Sequence, residues 1–259
     1  MLLASSSSSR TQRVPITRVL LLVRHGHYVD SGSCDGERVL TALGRLQAAA
    51  TGARLRSRLE ALQVDPPVQI VHSNMSRAVQ TAQIIRDAAF PALPLVCDAD
   101  LREGAPAVPE PNWWRPNASD VRRDAIRIER AFKRYFHRAC TDDADVAEEH
   151  VHHITAAGAP VEVTGEASLG GCDSGQTAHP ELSTPAPPSQ TASHRAEIFV
   201  AHGNVIRWLV LRALQLPTEA WLRIVLPHGS ITTIAITPDG DVLLQGLGET
   251  GHIDSDLVS

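Results

Sequence analysis

Aromatic side chains are scarce, at 4% of 259 residues. Any core must therefore be built from Leu, Val, Ile and Ala, and a hydrophobic share of 43% is enough to supply one. Cysteine is scarce too. Cys34, Cys97, Cys140 and Cys172 stand far apart with no CxxC pair. That spacing argues against a zinc ribbon, a thioredoxin-type site and, in a chain this long, a disulfide framework; the four read as free thiols. No apolar run is long enough to span a membrane. The richest early one, Val19 to Val23, is closed by Arg18 and Arg24. Surplus positive charge is also lacking. Lys and Arg number 24 against 29 Asp and Glu, a net charge of −5, which argues against a general nucleic-acid binder. Acidic residues are missing before Asp30, where Arg10, Arg13 and a serine run from Ser5 to Ser9 give a composition resembling a transit peptide. Residues 1–17 read first as a flexible polar tail, and the compartment stays open.

What is present alternates between two periods. Val19 to Val23 is a continuous apolar run, as a parallel strand buried on both faces should be. Thr41 to Leu62 reads as an amphipathic helix, with Leu43, Leu46, Ala50, Ala53 and Leu59 on the buried side. Val68 to Val71 and Leu93 to Val96 read as further strands, and Met75 to Ala89 as a second helix. Residues 105–118, rich in Pro, Asn and Trp, read as a loop or lid. A charged helix follows from Ser119 to Arg138. Ile198 to Ala201 is a strand and Asn204 to Gln215 the helix after it, with a short helix from Pro217 to Leu222. Ile231 to Thr237 and Val242 to Leu247 flank Pro238-Asp239-Gly240, a hairpin signal. This order predicts an α/β fold, a three-layer sandwich with a mostly parallel central sheet and an antiparallel piece near the end. Residues 141–194 have no apolar period and read as a low-complexity disordered insertion between two parts of one domain, 18–140 and 195–254.

Four stretches carry chemistry: Arg24-His25-Gly26, His72-Ser73-Asn74-Met75-Ser76-Arg77, Leu101-Arg102-Glu103-Gly104 and Ala201-His202-Gly203-Asn204. Each lies at or just past the end of an expected strand, where sites assemble in open α/β sheets. Two of them open a helix, whose free N–H groups favour anions. Two arginines, two histidines and a glutamate suit a phosphoryl group. Each also has a plainer reading. Arg24 could be a strand-end surface charge and Arg77 an ordinary helix-exterior arginine. Other acids near Glu103 could serve in its place. His27 could touch substrate or simply belong to the loop. His150, His152 and His153 could hold a metal, but no carboxylate or cysteine at ligand spacing supports them.

Taken in order, these stretches resemble the histidine phosphatase superfamily, the phosphoglycerate mutase-like fold. The resemblance extends through Leu40-Thr41, Leu43-Gly44-Arg45, Arg127-Ile128-Glu129, Asn204 to Arg207, Trp221-Leu222-Arg223 and Gly229 to Thr232. Within the superfamily it is nearest to mitochondrial protein serine/threonine phosphatases. The resemblance implies that His25 is the nucleophile and forms a phosphohistidine. It implies that Arg24, Arg77 and His202, with Gly26 and Asn74, hold the phosphoryl oxygens, and that Glu103 is the proton donor. It implies no metal and no cofactor, a phosphoprotein or small phosphomonoester as substrate, and a possible homodimer. The membrane-anchoring segment and the Trp/Asp-rich multimerisation motif of the animal relatives have no match here, so membrane attachment and higher assembly are not carried over. Two other functions fit the same residues: a small-molecule phosphatase or phosphoglycerate-type mutase, and a non-catalytic phosphate-binding module.

Overall fold

The computed structural model describes residues 18–62, 64–111, 114–137 and 195–259. The expected flexible tail, the expected insertion at 141–194 and His150, His152 and His153 lie outside them. The described chain forms a six-stranded sheet in the order β3-β2-β4-β1-β5-β6. The strands are β1 (Arg18–Arg24), β2 (Ile70–His72), β3 (Leu95–Cys97), β4 (Arg195–Ala201), β5 (Ile231–Ile236) and β6 (Val242–Glu249). The first four of these run parallel, while β5 pairs antiparallel with both β1 and β6. The expected α/β sandwich with a mostly parallel sheet is the fold observed.

Alternation along β1 explains the layering. Val19, Leu21 and Val23 pack with Leu55, Ala82 and Ile85, from helices α1 (Ala42–Leu62) and α2 (Ser76–Ala89). Leu20 and Leu22 pack with Ile128, Val205 and Leu209, from α3 (Ala118–Tyr135) and α4 (Gly203–Ala213). One strand thus feeds two cores, which is why its sequence is apolar at every position.

Several expectations need correction. The buried side of α1 is Gly44, Gln47, Ala48, Thr51, Gly52, Leu55 and Leu59, while Leu46 and Ala53 are exposed. The reason is polar. Gln47 and Thr51 face inward because distant backbone satisfies them: Gln47 Nε2 donates to the Leu257 carbonyl at 2.7 Å, and Thr51 Oγ1 to Gly229 at 2.8 Å. The second strand starts at Ile70 rather than Val68, which is exposed. The expected short helix after Pro217 is present as a 3₁₀ segment, Thr218–Arg223. The segment after Glu103 is not a free lid. The Trp221 indole donates to the Ala107 carbonyl at 3.1 Å, Glu110 N–H donates to the Glu219 carbonyl at 2.8 Å, and Trp114 lies edge-on to Trp221. These contacts fasten the segment to the 3₁₀ turn. Cys34 and Cys97 are exposed free thiols. No helix among the described residues is long and apolar enough to cross a membrane.

Candidate active site

The register levels the ends of the parallel strands. Val200 of β4 lies opposite both Val23 and His72, and Arg24 opposite Ala201. His25, Ser73 and His202 therefore leave the sheet on one edge. The antiparallel β5 begins at that same edge. Its lead-in, Pro227 to Ser230, is tied to β1 by Arg24 N–H to the Ser230 carbonyl and Gly229 N–H to the Arg24 carbonyl, both at 3.1 Å.

His25 is buried, with 2% of its surface exposed. Its Nδ1 lies 2.9 Å from the Gly26 carbonyl oxygen, which can only accept, so the proton sits on Nδ1. Nε2 then carries a lone pair and accepts from Arg77 Nε at 3.1 Å. Burial, followed by His202 and the Arg77 and Arg24 guanidinium groups, holds the His25 pKa well below 6.5. The imidazole is neutral, with its lone pair aimed at a cation.

Arg77 stands in the first turn of α2, 3% exposed. Its guanidinium lies over the Tyr28 ring at 4.6 Å and is 3.6 Å from Asp35 Oδ1. The other oxygen of Asp35 accepts from the Ser76 N–H at 2.9 Å and from its hydroxyl at 3.0 Å, so a loop residue caps α2 from outside the helix. His202 is fully buried and stands at the N-cap of α4. Its Nε2 meets Ser73 Oγ at 2.8 Å, and its ring centroid lies 5.0 Å from that of His25. Arg24 donates from Nη1 to the Leu226 carbonyl and from Nη2 to His228 Nε2 at 3.0 Å. Among the described residues four buried side-chain nitrogens find no hydrogen-bond partner: Arg24 Nε, Arg77 Nη1, His202 Nδ1 and Arg207 Nε, although Arg77 Nη1 is the atom 3.6 Å from Asp35 Oδ1. Burial without a partner costs about 1–3 kcal/mol per group, more for a charge, so such groups ask for an acceptor.

Glu103 stands at the end of a clamped loop. Arg127 donates to the carbonyls of Asp100 and Glu103, each at 2.9 Å, and also to that of Arg102 at 2.5 Å. Asp124 accepts the Ala105 N–H at 3.0 Å, and Asn204 Nδ2 donates to the Gly104 carbonyl at 3.2 Å. Burial raises the Glu103 pKa, while the Gly104 N–H and the charges of Arg77, Arg24 and Arg207 oppose the rise.

Two expected phosphate contacts are placed differently. The Gly26 N–H is already used, donating to Thr81 Oγ1 at 3.1 Å. Gly26 instead serves close packing, since a Cβ there would lie 2.4 Å from the Gly44 carbonyl oxygen. Asn74 is exposed in the bend between β2 and α2, outside the buried cluster. His27 is anchored in its loop: its N–H donates to Gln47 Oε1 at 2.8 Å, and its Nδ1 meets Thr41 Oγ1 at 2.9 Å.

Sequence reasoning missed His228, Tyr28 and Arg207. The His228 ring lies 5.4 Å from those of His25 and His27, and burial with the nearby Arg24 charge lowers its pKa to about 4. Its signal was topological. An antiparallel strand beside β1 must start where β1 ends, so the residues just before Ile231 had to border the site. Among the described residues, no group of three or more His, Cys, Asp or Glu is arranged to hold a metal ion.

The sequence profile of the histidine phosphatase superfamily (branch 1) matches residues 20–110 and 189–246. The chain is 38% identical over 248 residues to the serine/threonine-protein phosphatase PGAM5, mitochondrial, of Rattus norvegicus, covering 94% of this chain and 66% of that one. Identity to the Homo sapiens protein of the same name is 37%, with the same coverage. The chain thus spans 66% of the length of these curated relatives. In structure it is similar to a phosphoglycerate mutase from Plasmodium falciparum, with a TM-score of 0.50, 25% identity and 91% of each chain covered.

Proposed function

The chain belongs to the histidine phosphatase superfamily (branch 1), and from that premise we propose that it hydrolyses phosphoserine and phosphothreonine esters of proteins through a phosphohistidine on His25. The observation that carries this reading is the set of buried nitrogens without a hydrogen bond on Arg24, Arg77 and His202 around a neutral imidazole. Phosphoryl oxygens supply the acceptors these nitrogens lack. The cations then stabilise charge on the phosphoryl group in flight.

In the first step His25 Nε2 forms a bond to phosphorus as the ester P–O bond breaks. Its Nδ1–H keeps donating to the Gly26 carbonyl, so positive charge arising on the ring is held by that contact. Glu103, whose pKa burial raises, gives its proton to the departing serine or threonine oxygen. In the second step the Glu103 carboxylate takes a proton from water, whose oxygen attacks phosphorus. The N–P bond breaks, and inorganic phosphate and neutral His25 are released. The names of the curated relatives support a protein substrate over a small one.

The test is turnover of a phosphoserine peptide, with rapid quench under alkaline conditions to preserve an acid-labile phosphoenzyme. Wild type is expected to trap phosphate on His25. His25→Ala is expected to lose activity and trapping while keeping its thermal transition, because the ring lies beyond the end of β1. Activity within tenfold of wild type in folded His25→Ala overturns the nucleophile. Turnover of 3-phosphoglycerate but of no phosphopeptide overturns the substrate class.

A further inference from the structure

Glu103 borders a second feature, a cavity of about 610 Å³ lined by Arg102, Arg123, Arg127 and Arg130 together with Asp100 and Asp124. The two aspartates are buried and already engaged. Asp100 accepts from Arg130 Nε at 2.7 Å and from Arg134 at 3.3 Å. Asp124 pairs with Arg127 at 3.1 Å and accepts the Ala105 N–H. The arginines reach outward: the Arg123 side chain is 67% exposed, that of Arg130 is 59% exposed, and Arg102 is exposed. Asp120 also pairs with Arg123 at 2.9 Å, so with Glu103 as the proton donor four guanidinium groups face three aspartates, and the cavity carries a surplus of one positive charge.

Its position gives that surplus a meaning. A leaving oxygen protonated by Glu103 must sit beside the Glu103 carboxyl. Because Glu103 also lines this cavity, the chain attached to that oxygen has the cavity beside it. A volume of about 610 Å³ falls in the range of ligand pockets and exceeds what the serine methylene alone would fill.

We propose that this cavity is a leaving-group subsite that takes the acidic side chains flanking the phosphorylated residue of a peptide substrate. The proposal rests on Glu103 as proton donor to that leaving group. Carboxylates next to the phosphoserine meet the Arg102 fork, which offers planar two-point hydrogen bonding, and compete with Asp120 for the exposed Arg123 fork. Lysines there meet like charge. Exposed pairs of this kind are weak singly and screened by salt, so the subsite sets preference among peptides rather than turnover itself.

The test measures kcat/KM on three phosphoserine peptides that differ only in having Asp, Ala or Lys beside the phosphorylated residue, with an activated aryl phosphate as a substrate lacking flanks. At low salt wild type is expected to prefer the Asp peptide over the Lys peptide, and the preference should shrink at 0.5 M salt. Arg123→Glu should cut the preference by about two- to fivefold. The aryl phosphate should change by less than about twofold, because Arg123 lies on the outer face of α3. Arg102→Gln, which removes charge without adding any, guards against misfolding of the reversal variant and should lower the preference in the same direction. Equal rates on all three peptides, or a preference unmoved by either variant, overturn the subsite and leave the proposed phosphatase intact. Hydrolysis of small organic bisphosphates faster than any peptide makes the occupant a small polyanion and overturns the peptide assignment. Failure to hydrolyse any peptide overturns both readings.

Discussion

Replacing Gly44 by alanine probes how tightly the first turn of α1 is set against the loop that carries His25. A Cβ at Gly44 would lie 1.9 Å from the His27 carbonyl oxygen and 2.8 Å from the His27 nitrogen and carbonyl carbon. All three atoms are backbone, so no rotamer change relieves the overlap. A comfortable carbon–oxygen contact is roughly 3.3 Å, which forces the helix or the loop to move by more than about 1 Å. Overpacking of this kind costs ~1–3 kcal/mol. Alanine in place of glycine within a helix returns about 1 kcal/mol. The net loss is then about 0–2 kcal/mol, or a fall in Tm of roughly 0–8 °C for a chain of this size. Activity should suffer more than stability. Misplacing a reacting group by ~1 Å costs on the order of 10²-fold, and His25 sits two residues before the displaced carbonyl. Steady-state kcat on an aryl phosphate is expected to fall about 10- to 100-fold, read alongside a thermal melt. Gly52→Ala is the control. Its Cβ would meet Ile85 Cα at 3.2 Å, between α1 and α2 and away from His25, so it should lower Tm with kcat retained. A Gly44→Ala protein with kcat within twofold of wild type would show that the loop absorbs the shift, and the tight-packing argument fails.

Glu103→Gln is expected to slow phosphoserine peptide turnover by ~10²–10⁴-fold and an activated aryl phosphate far less, because a phenolate leaves without a proton. Equal losses in kcat/KM on both would assign Glu103 a positioning role. Stability should fall as the medium is acidified below pH 6.5. His25, His202 and His228 all have folded pKa values below that ordinary value, so unfolding takes up protons there, by up to about 1.4 kcal/mol per pH unit for each ring. The sign follows from the unfolded chain binding more protons, and the stabilisation is complete above pH 6.5. Denaturant midpoints that stay flat from pH 7 to pH 5 would refute the buried neutral imidazoles.

Strand β1 and the order of the parallel strands were legible because a strand buried on both faces must be apolar throughout. His25, Arg77 and His202 were legible because short motifs at strand ends fix their place on one edge. The inward face of α1 was not. Its buried Gln47 and Thr51 are paid for by carbonyls more than 170 residues away, which no local period encodes. His228 escaped for a related reason: its place follows from the antiparallel pairing of β5 with β1, and nothing near it in sequence signals that. What Gly26 does for packing was not legible either: its N–H is taken by Thr81, and its missing side chain is what lets α1 approach.

The strand order has a consequence for the integrity of the chain. β4 lies between β2 and β1, so the strands contributed by residues 18–137 cannot close into one sheet without a strand from residues 195–259. His25 comes from the first part and His202 from the second. A backbone cut between residues 137 and 195 would therefore leave two pieces that each lack a continuous sheet. Reassociation through β4 would restore the sheet and the catalytic edge together, so in a severed chain recovery of turnover and recovery of the fold should be one event.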